Sequence, residues 1–153
     1  MKKQYLIYSL SIIFGIWIST LLHELGHAVA IWLFGGKVNY ILPNLTFGVT
    51  GFTGSFSIWQ ETIIYAAGVI VNFIFGFIML NTGKKTNYEG FFDVIGYCSI
   101  VLGYINLMPF FGDGALLAEL WGFYPIMIIA LILAMIGGIL VVKDAQDKKY
   151  GGR

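Results

Sequence analysis

Four long apolar runs restrict this chain to folds that a lipid bilayer can hold. The runs cover residues 5–34, 62–80, 91–107 and 121–142. Each is close to the length that a helix needs to cross the hydrocarbon layer, at about 1.5 Å of rise per residue. Hydrophobic residues make up 58% of the chain and charged residues 11%, which is more apolar surface than a core of this size could bury. We therefore predict an all-α membrane protein, a single domain over residues 1–153 with about four transmembrane helices.

A different period separates the first two runs. Leu45, Phe47 and Val49 alternate with polar or small residues, and a second alternation follows a slip at Gly51. A period of two is typical of β-strands. We therefore predict a short β-hairpin at residues 37–60, which lies at the membrane surface or dips in against the helices, because an unpaired strand edge could not face lipid.

The first run contains an H-E-x-x-H motif, His23-Glu24-Leu25-Gly26-His27. On a helix, residues i and i+4 share one face, so His23 and His27 can bind one metal ion with Glu24 beside it. Zinc accepts imidazole nitrogens in a tetrahedral site, and a catalytic zinc keeps one open position for water, whose proton Glu24 would take. The alternative is an accidental polar helix face. It is disfavoured because ionisable groups inside a bilayer are costly unless they are paired or metallated.

Two further polar positions are candidates for the same site. Asp113 is flanked by glycines after Pro109, which disfavours helix at the residue before it. It is the best available third zinc ligand, and the alternative is an ordinary Asp-Gly turn at the membrane surface. Asn72 is the one strongly polar side chain of the second run, and either a helix-to-helix hydrogen bond or a role in the site would explain it.

Three separated pieces of the sequence resemble the site-2 proteases, which are intramembrane zinc metalloproteases. The pieces are His23 to His27, Gly68 to Asn72, and Asn106 to Pro109 followed by Asp113-Gly114. The resemblance runs in the expected order from Tyr5 to about Gly114. It implies a three-helix catalytic core with a β-hairpin after its first helix.

The resemblance also implies roles for single residues. They are the zinc ligands His23, His27 and Asp113, the general base Glu24, and the substrate-binding groups Asn72 and Asn106. The Asp-Gly pair follows the Asn-x-x-Pro piece one residue sooner than is usual in the family, and we expect the turn at Gly112 to absorb the difference. The implied reaction is hydrolysis of peptide bonds in membrane-embedded or membrane-proximal proteins, with zinc lowering the pKa of its water towards about 7.

Charge and cysteine content limit the partners and the metal sites that the chain can have. A net charge of +1 gives no sign of a nucleic-acid partner. Cys98 is the only cysteine, so neither an internal disulfide nor a thiolate metal cluster can form. The expected partners are a membrane-protein substrate and the lipid bilayer. The competing class is a non-proteolytic membrane protein, such as a small transporter or assembly subunit, in which the His and Glu side chains bind ions or protons.

The basic residues predict an orientation for a multi-pass protein of the cell membrane. With four spans, all but one of the nine Lys and Arg residues fall on one side: Lys2, Lys3, Lys84, Lys85, Lys143, Lys148, Lys149 and Arg153, against Lys37 on the other. This bias predicts that both termini are cytoplasmic and that His23, about 27 Å along the helix from Tyr5, lies nearer the outer face. The family resemblance implies the reverse orientation.

Overall fold

The computed structural model describes residues 2–45, 47–84, 86 and 88–150, so Lys85 and Arg153 lie outside the described residues. The elements in chain order are α1 (Lys2–Leu33), β1 (Lys37–Pro43), β2 (Gly48–Thr53), α2 (Ile58–Gly83), α3 (Glu89–Leu107), α4 (Gly112–Trp121) and α5 (Phe123–Tyr150). The helical class is confirmed, and so is the hairpin between the first two helices.

Four stretches of the described chain are long and apolar enough to cross a membrane. They are Tyr5–Leu33, Ile58–Gly83, Glu89–Trp121 and Phe123–Lys143. In the most apolar 18 residues of each stretch, only 17% to 39% of the residues are buried inside the protein. Most of their large hydrophobic side chains therefore face outward, where lipid rather than water must cover them. The protein is an integral membrane protein.

Helix α2 begins earlier than its apolar run. Ser57 caps it in a capping box: the Ser57 amide donates to Gln60 Oε1 at 2.9 Å, and the Gln60 amide donates to Ser57 Oγ at 3.4 Å. These bonds satisfy amide groups that the first turn of a helix leaves without partners. Ile58, which the sequence alternation assigned to the hairpin, is therefore the first residue of α2, and the strands end at Thr53.

The hairpin is antiparallel and folds in against the helices. Val38 pairs with Phe52 and Tyr40 pairs with Gly51, so the irregularity in register lies in β1, opposite the slip predicted at Gly51. Val38 and Phe52 pack on a buried cluster of Ala30, Ile31 and Ile64. This apolar contact joins the hairpin to α1 and α2, and it places β2 over the polar part of α1.

The chain turns sharply between α3 and α4. Met108, the residue before Pro109, is extended with φ −66° and ψ 132°, so α3 ends at Leu107 as the proline predicts. Gly112 has φ 44°, a left-handed conformation that glycine adopts at little cost. The Gly-flanked turn predicted around Asp113 is instead the first turn of α4. This short helix was not predicted.

Helix α4 is fixed by its apolar side. A buried cluster joins α2, α3, α4 and α5 through Val69, Leu107, Leu117, Ile126 and Ala130. Because α4 is packed on three other helices, its first turn has a fixed position relative to α1 and α2. That position determines where the Asp113 carboxylate lies.

Candidate metal centre

The three predicted metal ligands meet inside the helix bundle. His23 and His27 lie one turn apart on α1, with ring centroids 4.7 Å apart and ring planes at 83°. Asp113 Oδ2 approaches His23 Nε2 at 2.8 Å and His27 Nε2 at 3.3 Å. All three residues are buried, with at most 8% of their surface exposed. The structure thus brings together two imidazole nitrogens and one carboxylate oxygen.

The Nδ1 atom of each imidazole ring, on the side away from Asp113, also contacts a polar group of α2. His27 Nδ1 lies 2.6 Å from the carbonyl oxygen of Ile64 on α2. Since a carbonyl only accepts, Nδ1 carries the hydrogen. A neutral ring then has its lone pair on Nε2, the nitrogen nearer Asp113. A ring nitrogen fixed in this way by an acceptor is typical of a histidine that binds a metal.

Asn72 takes the corresponding place behind His23. Its side chain is fully buried, and its amide nitrogen lies 3.3 Å from His23 Nδ1. Its Oδ1 has no hydrogen-bond partner within the described chain. Turning the amide over would let Oδ1 accept from His23 Nδ1–H and would leave Nε2 free to bind a metal. Asn72 therefore makes a helix-to-helix contact with His23 and also lines the cavity of the candidate site. Its role in binding substrate stays a prediction.

The space between the donor atoms suits a zinc ion. Asp113 Oδ2 is buried and makes no hydrogen bond within the described residues, although two imidazole nitrogens face it. Neighbouring ligands in a tetrahedral site with bonds of about 2.0 Å are roughly 3.3 Å apart. The His27 to Asp113 distance matches this spacing, and the His23 to Asp113 distance is somewhat shorter. Imidazole nitrogens with a carboxylate oxygen are also a usual donor set of catalytic zinc.

Gly68 on α2 forms a wall of this space. A Cβ atom at position 68 would lie 2.5 Å from His27 Nε2 and 2.7 Å from His23 Nε2. Any side chain there would collide with the Nε2 atoms of the two imidazole rings. The α2 backbone can approach the site this closely only because residue 68 is glycine.

Glu24 lies beside the imidazoles and is held by the hairpin. Donor atoms of His23, Glu24 and His27 lie within 4.8 Å of one another, and all three residues are buried. Glu24 Oε2 accepts a hydrogen bond from Thr50 Oγ1 at 2.6 Å. Sequence reasoning did not single out Thr50, because this contact arises only when β2 folds back over α1.

The space between these donor atoms opens into a cavity of about 350 Å³. Glu24, Asn106 and Asp113 line its polar side, while Phe47 and Val49 of the hairpin lie among its apolar walls. Asn106 Nδ2 donates to the carbonyl oxygen of Leu102 at 3.1 Å, which uses one of its two hydrogens. All six residues singled out from the sequence therefore line this one cavity.

The site lies within the membrane-spanning part of the molecule. His23 is ten residues before the end of α1 at Leu33, or about 15 Å along the helix axis. Gly68 is ten residues after the start of α2 at Ile58, at a similar depth. The helices therefore carry the donor atoms well below the bundle end that bears the hairpin.

Taken together, the fold and the site define a helical membrane protein with a buried group of His and Glu side chains that can hold a metal ion. The chain belongs to the peptidase M50B-like family, whose model matches residues 5–148. The site-2 protease from Methanocaldococcus jannaschii has a similar structure, with a TM-score of 0.59 and 28% sequence identity over 91% of this chain and 72% of that one. No curated protein matches the chain. The predicted family, the site-2 proteases, is confirmed.

Proposed function

We propose that the protein is a zinc-dependent intramembrane endopeptidase of the cell membrane, which hydrolyses peptide bonds of membrane-embedded or membrane-proximal proteins. One observation carries this proposal: Asp113 Oδ2 meets both imidazole Nε2 atoms at a buried position beside Glu24. Buried ionisable groups within a membrane span are expensive unless a function retains them. Membership of a peptidase family supports the same function.

His23, His27 and Asp113 would hold the zinc ion. When bound, zinc acts as a Lewis acid that polarises a carbonyl group and makes water a stronger acid. Asn72 and the Ile64 carbonyl keep the two imidazole rings turned toward this position. Gly68 leaves the space that the ion needs.

Glu24 is the group that moves the proton. Its Oε2 accepts the Thr50 hydrogen bond, so Oε1 has lone pairs available for the proton of the attacking water. As the peptide bond breaks, Glu24 returns this proton to the leaving nitrogen. The products are one carboxylic acid end and one amine end, which account for all atoms of the water molecule.

The substrate must enter the cavity as an extended strand. A helical substrate keeps its carbonyl oxygens in the i to i−4 hydrogen bonds, so it has to unwind locally before its peptide bond can be attacked. β2 borders the cavity through residues 48–50 and can pair with an extended segment. Asn106 has a second amide hydrogen that it can donate to a substrate carbonyl.

Co-expression with candidate single-span membrane proteins tests the proposal. Wild type should shorten a susceptible candidate, whereas Glu24→Gln should leave it intact. Glu119→Gln is the matched control, because Glu119 is exposed on α4 outside the cavity. Cleavage that persists in the Glu24→Gln protein would exclude the proposed mechanism and favour the non-proteolytic class.

A further inference from the structure

We infer that strand β2 positions the general base, with Thr50 as a positioning residue for Glu24. This inference rests on the proposed function, because it concerns the same site. Thr50 Oγ1 lies 2.6 Å from Glu24 Oε2 and 3.1 Å from the Glu24 carbonyl oxygen. The hydroxyl has one hydrogen to donate. The carboxylate oxygen receives it, because it is closer than the carbonyl oxygen and a stronger acceptor.

A second residue of β2, Gly48, also lies against the Glu24 side chain. A Cβ atom at Gly48 would lie 2.3 Å from Glu24 Oε1 and 2.3 Å from Glu24 Cγ. The β2 backbone therefore runs directly against the carboxylate, and a larger residue would displace it. Residues 48 and 50 point to the same face of a strand, so one face of β2 is shaped to the Glu24 side chain.

The two contacts leave Oε1 as the carboxylate oxygen that can accept a proton. Thr50 occupies Oε2, and the close β2 backbone at Gly48 limits how far the carboxylate can turn. Oε1 thereby keeps a fixed direction from which to accept a proton. Fixing a reacting group in its productive direction lowers the barrier, because the enzyme does not have to order it during the reaction.

Because Thr50 and Gly48 both belong to β2, the position of the base is linked to that of the substrate. In the proposed function the same strand binds the unwound substrate segment, so the scissile bond and the base are both located relative to one strand. A loss of the Thr50 hydroxyl should therefore affect the chemical step more than substrate binding.

The kinetic test compares Thr50→Val, Thr50→Ser and the control Thr53→Val. Valine keeps the branched shape that suits a strand and removes only the hydroxyl, and Thr53 is an exposed residue at the end of β2. We expect Thr50→Val to lower kcat about tenfold or more with KM and zinc content near wild type, since a hydrogen bond to a charged group is lost. Thr50→Ser should restore most of the loss, and Thr53→Val should behave as wild type.

Unchanged kcat in Thr50→Val would overturn the inference, and so would a loss that Thr50→Ser does not restore. If Glu24→Gln is inactive while Thr50→Val has wild-type kcat, the inference alone fails. If Glu24→Gln retains activity, the proposed function fails as well.

A spectroscopic test needs neither substrate nor metal. The infrared carboxyl band of Glu24 can be isolated in metal-free protein as the difference between wild type and Glu24→Gln. We expect Thr50→Val to shift this band and Thr50→Ser to leave it in place, because only the former removes the hydroxyl donor. An unshifted band in Thr50→Val would show that Thr50 does not hold the carboxyl group.

Discussion

Asp113 Oδ2 of α4 lies 2.8 Å from His23 Nε2 of α1, although the hairpin and the helices α2 and α3 separate the two residues in the sequence. We therefore predict that Asp113→Ala lowers the zinc content of the purified protein well below one ion per chain. Asp93→Ala is the matched control. Asp93 lies beside Gly83 at the end of α2, about 22 Å along that helix from Gly68.

Zinc analysis of both purified variants checks this ligand assignment. A normal zinc content in Asp113→Ala together with a reduced content in Asp93→Ala would show that the wrong aspartate has been assigned.

Asn72 should affect zinc binding through His23. Asn72→Leu removes the side-chain amide behind His23 Nδ1, so the imidazole ring should lose its fixed orientation. We predict that zinc affinity falls about 10- to 100-fold, as is usual when the outer partner of a metal-binding histidine is removed. Competition with a zinc chelator measures the change. Asn81→Leu, on the exposed side of the same helix, should keep wild-type affinity, and equal affinities in the two variants would argue against this role.

Gly68→Ala should close the space in front of the imidazole nitrogens. Its Cβ would lie 2.5 Å from His27 Nε2, and crowding of this kind costs about 1–3 kcal/mol. We predict lower zinc content and a lower unfolding temperature in detergent. Gly138→Ala on α5 is the control, because a Cβ atom there would point into open space. A Gly68→Ala protein with wild-type zinc content would mean that the metal position lies elsewhere.

The local parts of the site could be predicted from the sequence, whereas the tertiary contacts could not. His23 and His27 share a face because the helical repeat itself sets the i, i+4 spacing. Pro109 ends α3 for an equally local reason. The Thr50 hydrogen bond to Glu24 and the Ile64 carbonyl behind His27 depend on how the hairpin and α2 pack against α1, which no short window of sequence contains.

The start of α2 and the presence of α4 were mispredicted, each for an identifiable reason. The capping box of Ser57 and Gln60 was present in the sequence, but the alternation through Phe56 and Ile58 favoured a strand. Helix α4 was missed because glycines on both sides of Asp113 are typical of a turn. Burial of Leu117 against three other helices outweighs that local preference.

The uneven distribution of basic residues predicts the orientation in the membrane. Single cysteines at Ser55 and Thr86, placed in a Cys98→Ala background, lie at opposite ends of α2. If the bias toward cytoplasmic Lys and Arg governs insertion, an impermeant thiol reagent should label position 55 but not position 86 in intact cells. Labelling at 86 alone would establish the reverse orientation, which the family resemblance implies.

The most direct test of the central claim measures zinc content and peptide-bond cleavage on one preparation of Glu24→Gln. This change leaves His23, His27 and Asp113 intact and removes only the proton acceptor. We predict that the reconstituted variant binds zinc at the wild-type level and cleaves a susceptible membrane substrate at a rate lower by at least about a hundredfold. Cleavage by Glu24→Gln at the wild-type rate, with zinc bound, would contradict the assignment of Glu24 as the general base.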